Sequence, residues 1–450
     1  MVGRLAKFVQ PEIIFLILGI VSGLIFVIIT PPFQVPDEYQ HIYKAFAISK
    51  GEFFADQTTL PGSISDLINE TRNLPFKPDG KIQPGVLIKY LKIPMSMGDE
   101  VTVKFPNVGV YTPLPYVMTG LGSLVARLLD VPSGLFVYIV RLFNLIAWLG
   151  LAFLGLRTVP VFKWVFTFLL LSPMSLSIAA SASADCITNG LSFLGIAYCL
   201  NLGLQHHEKV TNRDILYLIL LTMLLGLCKP PYVILMGLVL LIPWKRYQSG
   251  KQFIVLMVMM GAALAISLSF TALLMSEAHD VKSFRGIDPQ EQAGFIIEHP
   301  RSFLNRIFLT FLNYQEYWRS YVGVLGWLDT PLPGYVYPIY FIVALILSIL
   351  DGQQEFPINW IQKMVLVGIS LLITVIVMVF MFLTWTPLKS EIVEGLQGRY
   401  FIPHAPLLFF GFYNTKVKFA KILPVLTCAA TIAFISVTVY TLIYRYYVIM

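Results

Sequence analysis

The sequence is divided into apolar blocks of about 15 to 25 residues, each long enough to cross a hydrocarbon core of roughly 30 Å as a helix. Backbone groups inside a bilayer have no water to bond, so such blocks form helices, whose hydrogen bonds are internal. Of the 450 residues, 57% are hydrophobic and 13% are charged, whereas a soluble domain carries about a quarter charged residues. The pattern predicts an all-α, polytopic membrane protein with a single membrane domain over residues 1–450.

The blocks predict about eleven spanning helices, within a range of about ten to thirteen. The first block follows Arg4 and Lys7 and is longer than the apolar region of a cleaved signal peptide. We therefore expect a retained anchor with a cytoplasmic N-terminus. The predicted spans cover residues 11–31, 134–156, 163–181, 186–204, 214–228, 231–243, 252–275, 335–350, 362–386, 400–413 and 421–444.

Basic residues in the short loops decide the predicted topology. Residues 113–130 are apolar for only about fourteen residues, fewer than a span requires. If this block does not cross, every short loop predicted to be cytoplasmic is basic, as the positive-inside rule requires. We therefore predict an interfacial or re-entrant helix at 113–130. The large extracytoplasmic segments are then 32–133 and 276–334, and the net charge of +7 does not indicate a nucleic-acid partner.

The strongest local motif follows the first span, where residues 31–41 read PPFQVPDEYQH. Pro36 suits the first position of a helix that Gly51 would end, and Asp37 and Glu38 would then occupy its first turn. Helical spacing allows both acids to converge with His41. An acidic pair at a membrane surface can deprotonate an alcohol or bind a divalent cation. The alternative is plain helix capping.

Other polar residues lie at the predicted outer ends of spans. Asp185, at the end of SASAD, is a candidate acid or metal ligand, or else a helix cap. Cations suit phosphate, although lone cations at span ends often extend to lipid headgroups instead. Asp329 follows Trp327, a natural interface anchor, and could bind a sugar hydroxyl. The remaining candidate substrate-binding residues are Lys229, Arg285, Gln397, Arg399 and Tyr400.

Seven short motifs give the chain a family resemblance. They are PPFQVPDEYQH at 31–41, YTPLPY at 111–116, RLFN with Arg141 and Asn144, SASAD at 181–185, KPPY at 229–232, GVLGWLD at 323–329 and QGRYFIP at 397–403. With these motifs the chain resembles a bacterial family of polytopic membrane proteins of unknown function. That family is related to the GT-C superfamily of polyprenyl-phosphate-sugar glycosyltransferases.

The resemblance implies an inverting transferase in the bacterial cytoplasmic membrane, with its active site on the extracytoplasmic face. The donor would be a polyprenyl-phosphate-linked sugar, and the acceptor a cell-wall or surface glycan or a lipid. Asp37 or Glu38 would be the base, and Asp185 matches a second acidic site. Some GT-C enzymes use a divalent cation, Mg²⁺ or Mn²⁺, whereas others use none.

Two other functions remain open from the sequence. One is a transporter or flippase for a lipid-linked glycan, although transporters usually carry paired repeats and polar residues at mid-membrane. The other is a non-catalytic subunit of a surface-polysaccharide assembly complex. Such a subunit would tolerate neutralisation of both Asp37 and Glu38, whereas an enzyme would not.

Overall fold

The computed structural model describes residues 10–205, 209–277, 287–417 and 421–448, and these are mostly helical. Arg285, one of the predicted cationic sites, lies outside the described residues. The α-helices are α1 Pro11–Ile29, α2 Glu38–Ser49, α3 Gly62–Thr71, α4 Pro84–Tyr90, α5 Pro106–Gly109, α6 Val117–Leu128, α7 Ser133–Thr158, α8 Lys163–Leu170, α9 Pro173–Ala179, α10 Asp185–Leu204, α11 Asn212–Cys228, α12 Gly250–Glu277, α13 Pro289–Glu298, α14 Pro300–Leu312, α15 Tyr314–Gly323, α16 Val336–Leu350, α17 Trp360–Trp385, α18 Ala405–Phe409 and α19 Leu423–Tyr447.

Short 3₁₀ helices and strands complete the fold. The 3₁₀ helices are Leu114–Tyr116, Pro230–Leu241, Trp244–Arg246, Gly398–His404 and Phe410–Phe412. The strands are β1 Gln57–Pro61, β2 Glu100–Lys104, β3 Val324–Leu325 and β4 Thr330–Pro331. Antiparallel pairing joins β1 to β2 and β3 to β4. The all-α prediction is therefore confirmed as a mostly helical fold, with two small ribbons that it did not include.

Six helices of the described chain are long and apolar enough to cross a membrane. Two shorter apolar helices, Pro230–Leu241 and Val336–Leu350, accompany them. The count of about eleven crossings stays a prediction. The six long segments are Pro11–Ile29, Ser133–Thr158, Asp185–Leu204, Gly250–Leu274, Trp360–Trp385 and Leu423–Tyr447.

A pair of prolines separates α11 from the helix that follows. Helix α11 ends at Cys228, Lys229 has extended backbone dihedrals, and a 3₁₀ helix of 12 residues runs from Pro230 to Leu241. Proline cannot donate the backbone hydrogen bond that would continue an α-helix. The break places the Lys229 side chain at the end of α11, beside α10.

Helix α6 occupies the block that was predicted not to span. Its 12 residues give a length of about 18 Å, which is shorter than a hydrocarbon core. The helix packs its small side chains inward and exposes Val117, Leu121 and Leu128. A β-carbon on Gly120 would lie 2.7 Å from Ile48 of α2, so small residues let the two helices approach closely. These features agree with an interfacial helix.

Candidate functional site

Asp37 immediately precedes α2 and has left-handed backbone dihedrals, with φ 60° and ψ 9°. Pro36 therefore lies before the helix and only Glu38 is in its first turn, which corrects the predicted start by two residues. The end is as predicted: α2 stops at Ser49, and Gly51 has φ 87°. The Asp37 carboxylate is partly exposed and accepts no hydrogen bond from the described residues.

Glu38 has a different environment from its neighbour. Both its side chain and that of Arg141 have 0% solvent exposure. Arg141 donates from Nε to Oε1 at 2.8 Å and from Nη2 to Oε2 at 2.6 Å. Its other donors bond the end of the first span, at the carbonyl oxygens of Val27, Thr30 and Pro31. All five guanidinium N–H groups are thus paired, as burial of an arginine requires.

Helices α2 and α7, which carry Glu38 and Arg141, also hold the SASAD segment in place. The Ala182 backbone N–H donates to Glu38 Oε1 at 3.2 Å. Asn144, nearly one turn after Arg141 on α7, donates to the carbonyl oxygens of Ser181 at 2.7 Å and Ser183 at 3.0 Å. Arg141 and Asn144 therefore fix the start of α10, and with it Asp185, relative to the residues around Asp37.

The start of α10 brings three charged side chains together, those of Asp185, Lys229 and Arg399. Lys229 Nζ bonds Asp185 Oδ1, and Arg399 Nε lies 3.6 Å from Asp185 Oδ2, which is ion-pair distance but too long for a hydrogen bond. The Lys229 ammonium also lies 5.6 Å from the ring centre of Tyr111 and 5.2 Å from that of Tyr400. The charged cluster, as it is called below, consists of Asp37, Asp185, Lys229 and Arg399.

The surroundings of Asp37 in the charged cluster make its carboxylate a better proton acceptor. Burial raises the pKa of the Asp37 carboxyl, the charge of Asp185 raises it further, and Arg399 and Lys229 oppose both effects. The net shift is upward. Burial alone would lower the pKa of Lys229, but the Asp185 carboxylate raises it above its ordinary value. The cluster therefore keeps its cations charged while one carboxylate becomes a better proton acceptor.

His41 faces the charged cluster from α2 and is bonded to the YTPLPY segment. Its Nδ1 lies 2.8 Å from the hydroxyl oxygen of Tyr116. Burial, opposed by Asp185 and assisted by Arg399 and Lys229, lowers the pKa of His41 to about 3. The imidazole is therefore neutral at physiological pH, and its role is to hold Tyr116 and the preceding loop against α2.

A divalent cation does not fit the donor set around Asp185. Its two carboxylate oxygens already face Lys229 and Arg399, and a metal ion there would be repelled by both. No group of three or more metal-binding side chains occurs within residues 10–205, 209–277, 287–417 and 421–448.

Asp329 lies apart from the charged cluster. Its Oδ2 accepts from the Phe76 N–H at 2.7 Å and from Arg445 Nη2 at 3.2 Å, and its Oδ1 accepts from the Trp327 N–H at 3.1 Å. The carboxylate thus joins the β3–β4 hairpin to the loop after α3 and to α19. These bonds give Asp329 a structural role in the fold.

Gln397 and Tyr400 flank the cluster on either side of Arg399. Gln397 Oε1 and Arg399 Nε are both buried atoms with no hydrogen-bond partner among the described residues. Tyr400 accepts a hydrogen bond on its carbonyl oxygen from the Tyr232 hydroxyl at 2.9 Å. Unpaired buried polar atoms are rare in native structures, and Arg399 is also one of the charges that act on Asp37.

Sequence reasoning gave no role to Arg141, Asn144, Tyr111 or Tyr116. A signal was present, because an arginine inside an apolar span needs a buried partner. That partner, Glu38, comes from a segment 103 positions away, so only the folded structure identifies it.

Long apolar helices and buried ionic groups near the ends of α10 and α11 define an integral membrane protein with a charged site. The chain belongs to the family described as "Predicted membrane protein (DUF2142)", which it matches over residues 20–408. No curated protein and no solved structure shows a significant match to the chain.

Proposed function

We propose that the chain is a GT-C-type membrane glycosyltransferase with its charged cluster on the extracytoplasmic face and its N-terminus inside. It would transfer a sugar, with inversion, from a polyprenyl-phosphate-linked donor to a cell-wall or surface glycan or a lipid acceptor. The observation that carries the proposal is the Asp37 carboxylate. It is partly exposed, accepts no hydrogen bond from the described residues and has a raised pKa beside the buried Arg399 and the half-buried Lys229.

Asp37 is the proposed base. The acceptor hydroxyl gives its proton to the Asp37 carboxylate while its oxygen attacks the anomeric carbon of the donor sugar from the face opposite the phosphate. The bond between that carbon and the phosphate oxygen breaks, and its electron pair leaves on the polyprenyl phosphate. A raised pKa brings the carboxylate closer to neutral pH, where general bases are most effective.

Lys229 and Arg399 are the proposed partners of the leaving phosphate. Their charge stabilises the negative charge that develops as the bond to the phosphate breaks. Arg399 Nε has no hydrogen-bond partner among the described residues, so it has an unused donor for a phosphate oxygen. The nearby Asp185 keeps both cations in place before the donor binds.

Glu38 is a proposed positioning residue. Its two oxygens are taken up by Arg141 and it has no solvent exposure, so it lacks a free face for an acceptor hydroxyl. This arrangement favours Asp37 over Glu38 as the base, a choice that the sequence alone leaves open.

Complementation of a deletion strain tests the transferase. The strain receives wild type, Asp37→Asn, or Asp66→Asn as a matched control on an exposed acid of the same segment, at equal membrane levels. The sugar composition of surface polysaccharide and wall polymer is then measured. We expect one sugar to be lost on deletion and restored by wild type and Asp66→Asn but not by Asp37→Asn. Full restoration by Asp37→Asn would instead favour a flippase or a non-catalytic assembly subunit.

A further inference from the structure

A second feature is an open cleft of about 420 Å³, lined in part by residues that flank Asp37 in the sequence. Its walls come from the loop before α2, from α2 itself, from the end of α3 with the loop that follows, and from the β3–β4 hairpin. Five of its lining residues are aromatic: Phe33, Tyr39, Tyr43, Phe76 and Trp327. This feature is called the aromatic cleft below.

The aromatic walls are fixed by hydrogen bonds and ring contacts. Trp327 Nε1 donates to the Phe33 carbonyl oxygen at 2.9 Å. The Trp327 ring is stacked with Tyr39 at 6.0 Å between centroids and meets Phe76 edge-on at 6.4 Å. Phe33 and Phe76 both have positive φ, at 64° and 59°. Backbone strain of this kind persists at sites that must present a set geometry.

The floor and rim of the aromatic cleft are polar. Gln34 is 1% exposed and donates from Nε2 to the Thr71 carbonyl oxygen, but its buried Oε1 has no partner among the described residues. That oxygen is an acceptor in need of a donor such as a hydroxyl. Arg72 and Lys104 line the cleft, and none of its lining residues is acidic.

We infer that the aromatic cleft binds a carbohydrate chain that carries negative charge. The C–H faces of sugar rings pack against flat aromatic side chains, and hydroxyls at the ring edges bond amides such as those of Gln34 and Asn69. The Arg72 guanidinium supplies charge complementarity for a carboxylate or phosphate on the carbohydrate. A lipid tail has no hydroxyl that could bond the Gln34 amide. A neutral glycan has no charge that could pair with Arg72.

We assign the bound carbohydrate the role of acceptor because residues that line the cleft flank Asp37 in the sequence, and this further step rests on the proposed function. Phe33 and Gln34 precede Asp37 by four and three residues, and Tyr39 follows it by two. The Cα atoms of Asp37 and Tyr39 are thus at most about 7 Å apart.

Binding to the full chain in lipid nanodiscs tests the inference without any sugar transfer. Saturation-transfer NMR and calorimetry compare hexagalacturonate, an anionic probe, with maltohexaose, a neutral one. The variants are Arg72→Gln, which alters an exposed residue, and Tyr39→Leu. Lys92→Gln is the matched control, because Lys92 is an exposed cation of the same segment that does not line the cleft. Asp37→Asn separates binding from catalysis.

We expect hexagalacturonate to bind more tightly than maltohexaose. Affinity for hexagalacturonate falls about tenfold in Arg72→Gln, the loss typical of one charge-assisted hydrogen bond. It falls by up to about tenfold in Tyr39→Leu, which removes ring packing, and is unchanged in Lys92→Gln, while Asp37→Asn still binds the probe. Equal affinity for the two probes, no binding, or binding unaffected by both cleft variants would overturn the inference. If binding behaves as expected while Asp37→Asn restores the surface sugar in cells, the cleft stands and the proposed transferase fails.

Discussion

Glu38 and Arg141 form a bidentate ion pair from which solvent is fully excluded, with Nη2 and Oε2 2.6 Å apart. The pair joins the start of α2 to α7, and Arg141 also bonds the carbonyl oxygens that end the first span. Adjacent acids in the sequence thus have separate roles. Glu38 fixes the backbone, and Asp37 is held next to the cations of the charged cluster.

The first prediction concerns the stability of this pair. Glu38→Gln leaves the buried Arg141 charge uncompensated and should lower the free energy of unfolding by about 3–5 kcal/mol. Thermal unfolding of the detergent-solubilised protein measures the loss. The matched control is Glu70→Gln, which breaks an exposed pair with Lys89 and should change little. A Glu38→Gln protein as stable as wild type but inactive would make Glu38, not Asp37, the catalytic acid.

Asp37→Asn should leave stability unchanged or slightly raised at pH 7. Asparagine tolerates left-handed dihedrals as well as aspartate does. Because burial raises the pKa of Asp37, its ionised form is disfavoured in the folded state, and stability falls as pH rises through that pKa. The asparagine side chain does not ionise, so Asp37→Asn removes this loss of stability. A clear drop in the unfolding temperature of Asp37→Asn would contradict the predicted environment.

The titration of Asp37 should respond to its acidic neighbour. Asp185 raises the pKa of Asp37, so Asp185→Asn should lower it and move the acid limb of activity to lower pH. Infrared difference spectra of the protonated carboxyl band, with Asp37→Asn as the reference, follow the titration directly. An upward shift in Asp185→Asn would contradict the electrostatic account.

Asp329 should behave as a structural residue. Asp329→Asn leaves Arg445, whose side chain is only 6% exposed, without its carboxylate, and should cost about 3 kcal/mol. Thermal unfolding again provides the measurement. If Asp329→Asn is fully stable but weakens binding of carbohydrate, then Asp329 contacts the sugar as the sequence first suggested.

Gly398 should be intolerant of any side chain. A β-carbon there would lie 2.0 Å from the Tyr321 backbone nitrogen and 2.3 Å from the Tyr317 carbonyl oxygen. Gly398→Ala must therefore push its segment away from α15, at a cost of about 1–3 kcal/mol or more, and move the adjacent Arg399. We expect reduced stability and reduced activity together. Gly368→Ala, where a β-carbon meets nothing within 4 Å, is the control.

The sequence predicts those parts of the fold that depend on local pattern. Apolar length predicts the six long helices, and the interfacial position of the block at 113–130 stays a prediction. The β1–β2 ribbon was missed because its strands pair Gln57 with Lys104, and such distant pairing has no local signal. The start of α2 was misplaced because Asp37 adopts left-handed dihedrals, which leave Pro36 outside the helix and which no local pattern predicts.

The candidate site shows the same contrast between features that a local sequence pattern predicts and features that depend on packing. Unusual charges at span ends indicated Asp185, Lys229 and Arg399, but their mutual contact depends on how α10 and α11 pack. The aromatic cleft gave no sequence signal at all, since Phe33 and Trp327 are 294 positions apart. Separation of the roles of Asp37 and Glu38 required the position of Arg141.

The most direct test of the central claim compares membrane lipids and surface sugars in the same cells. Mass spectrometry measures polyprenyl-phosphate-linked sugar in the deletion strain that carries wild type or Asp37→Asn at equal levels. Because loss of a general base slows transfer by at least about 100-fold, we predict that Asp37→Asn accumulates the lipid-linked sugar and lacks that sugar on its surface polymer. Wild-type levels of both in the Asp37→Asn strain would contradict the account.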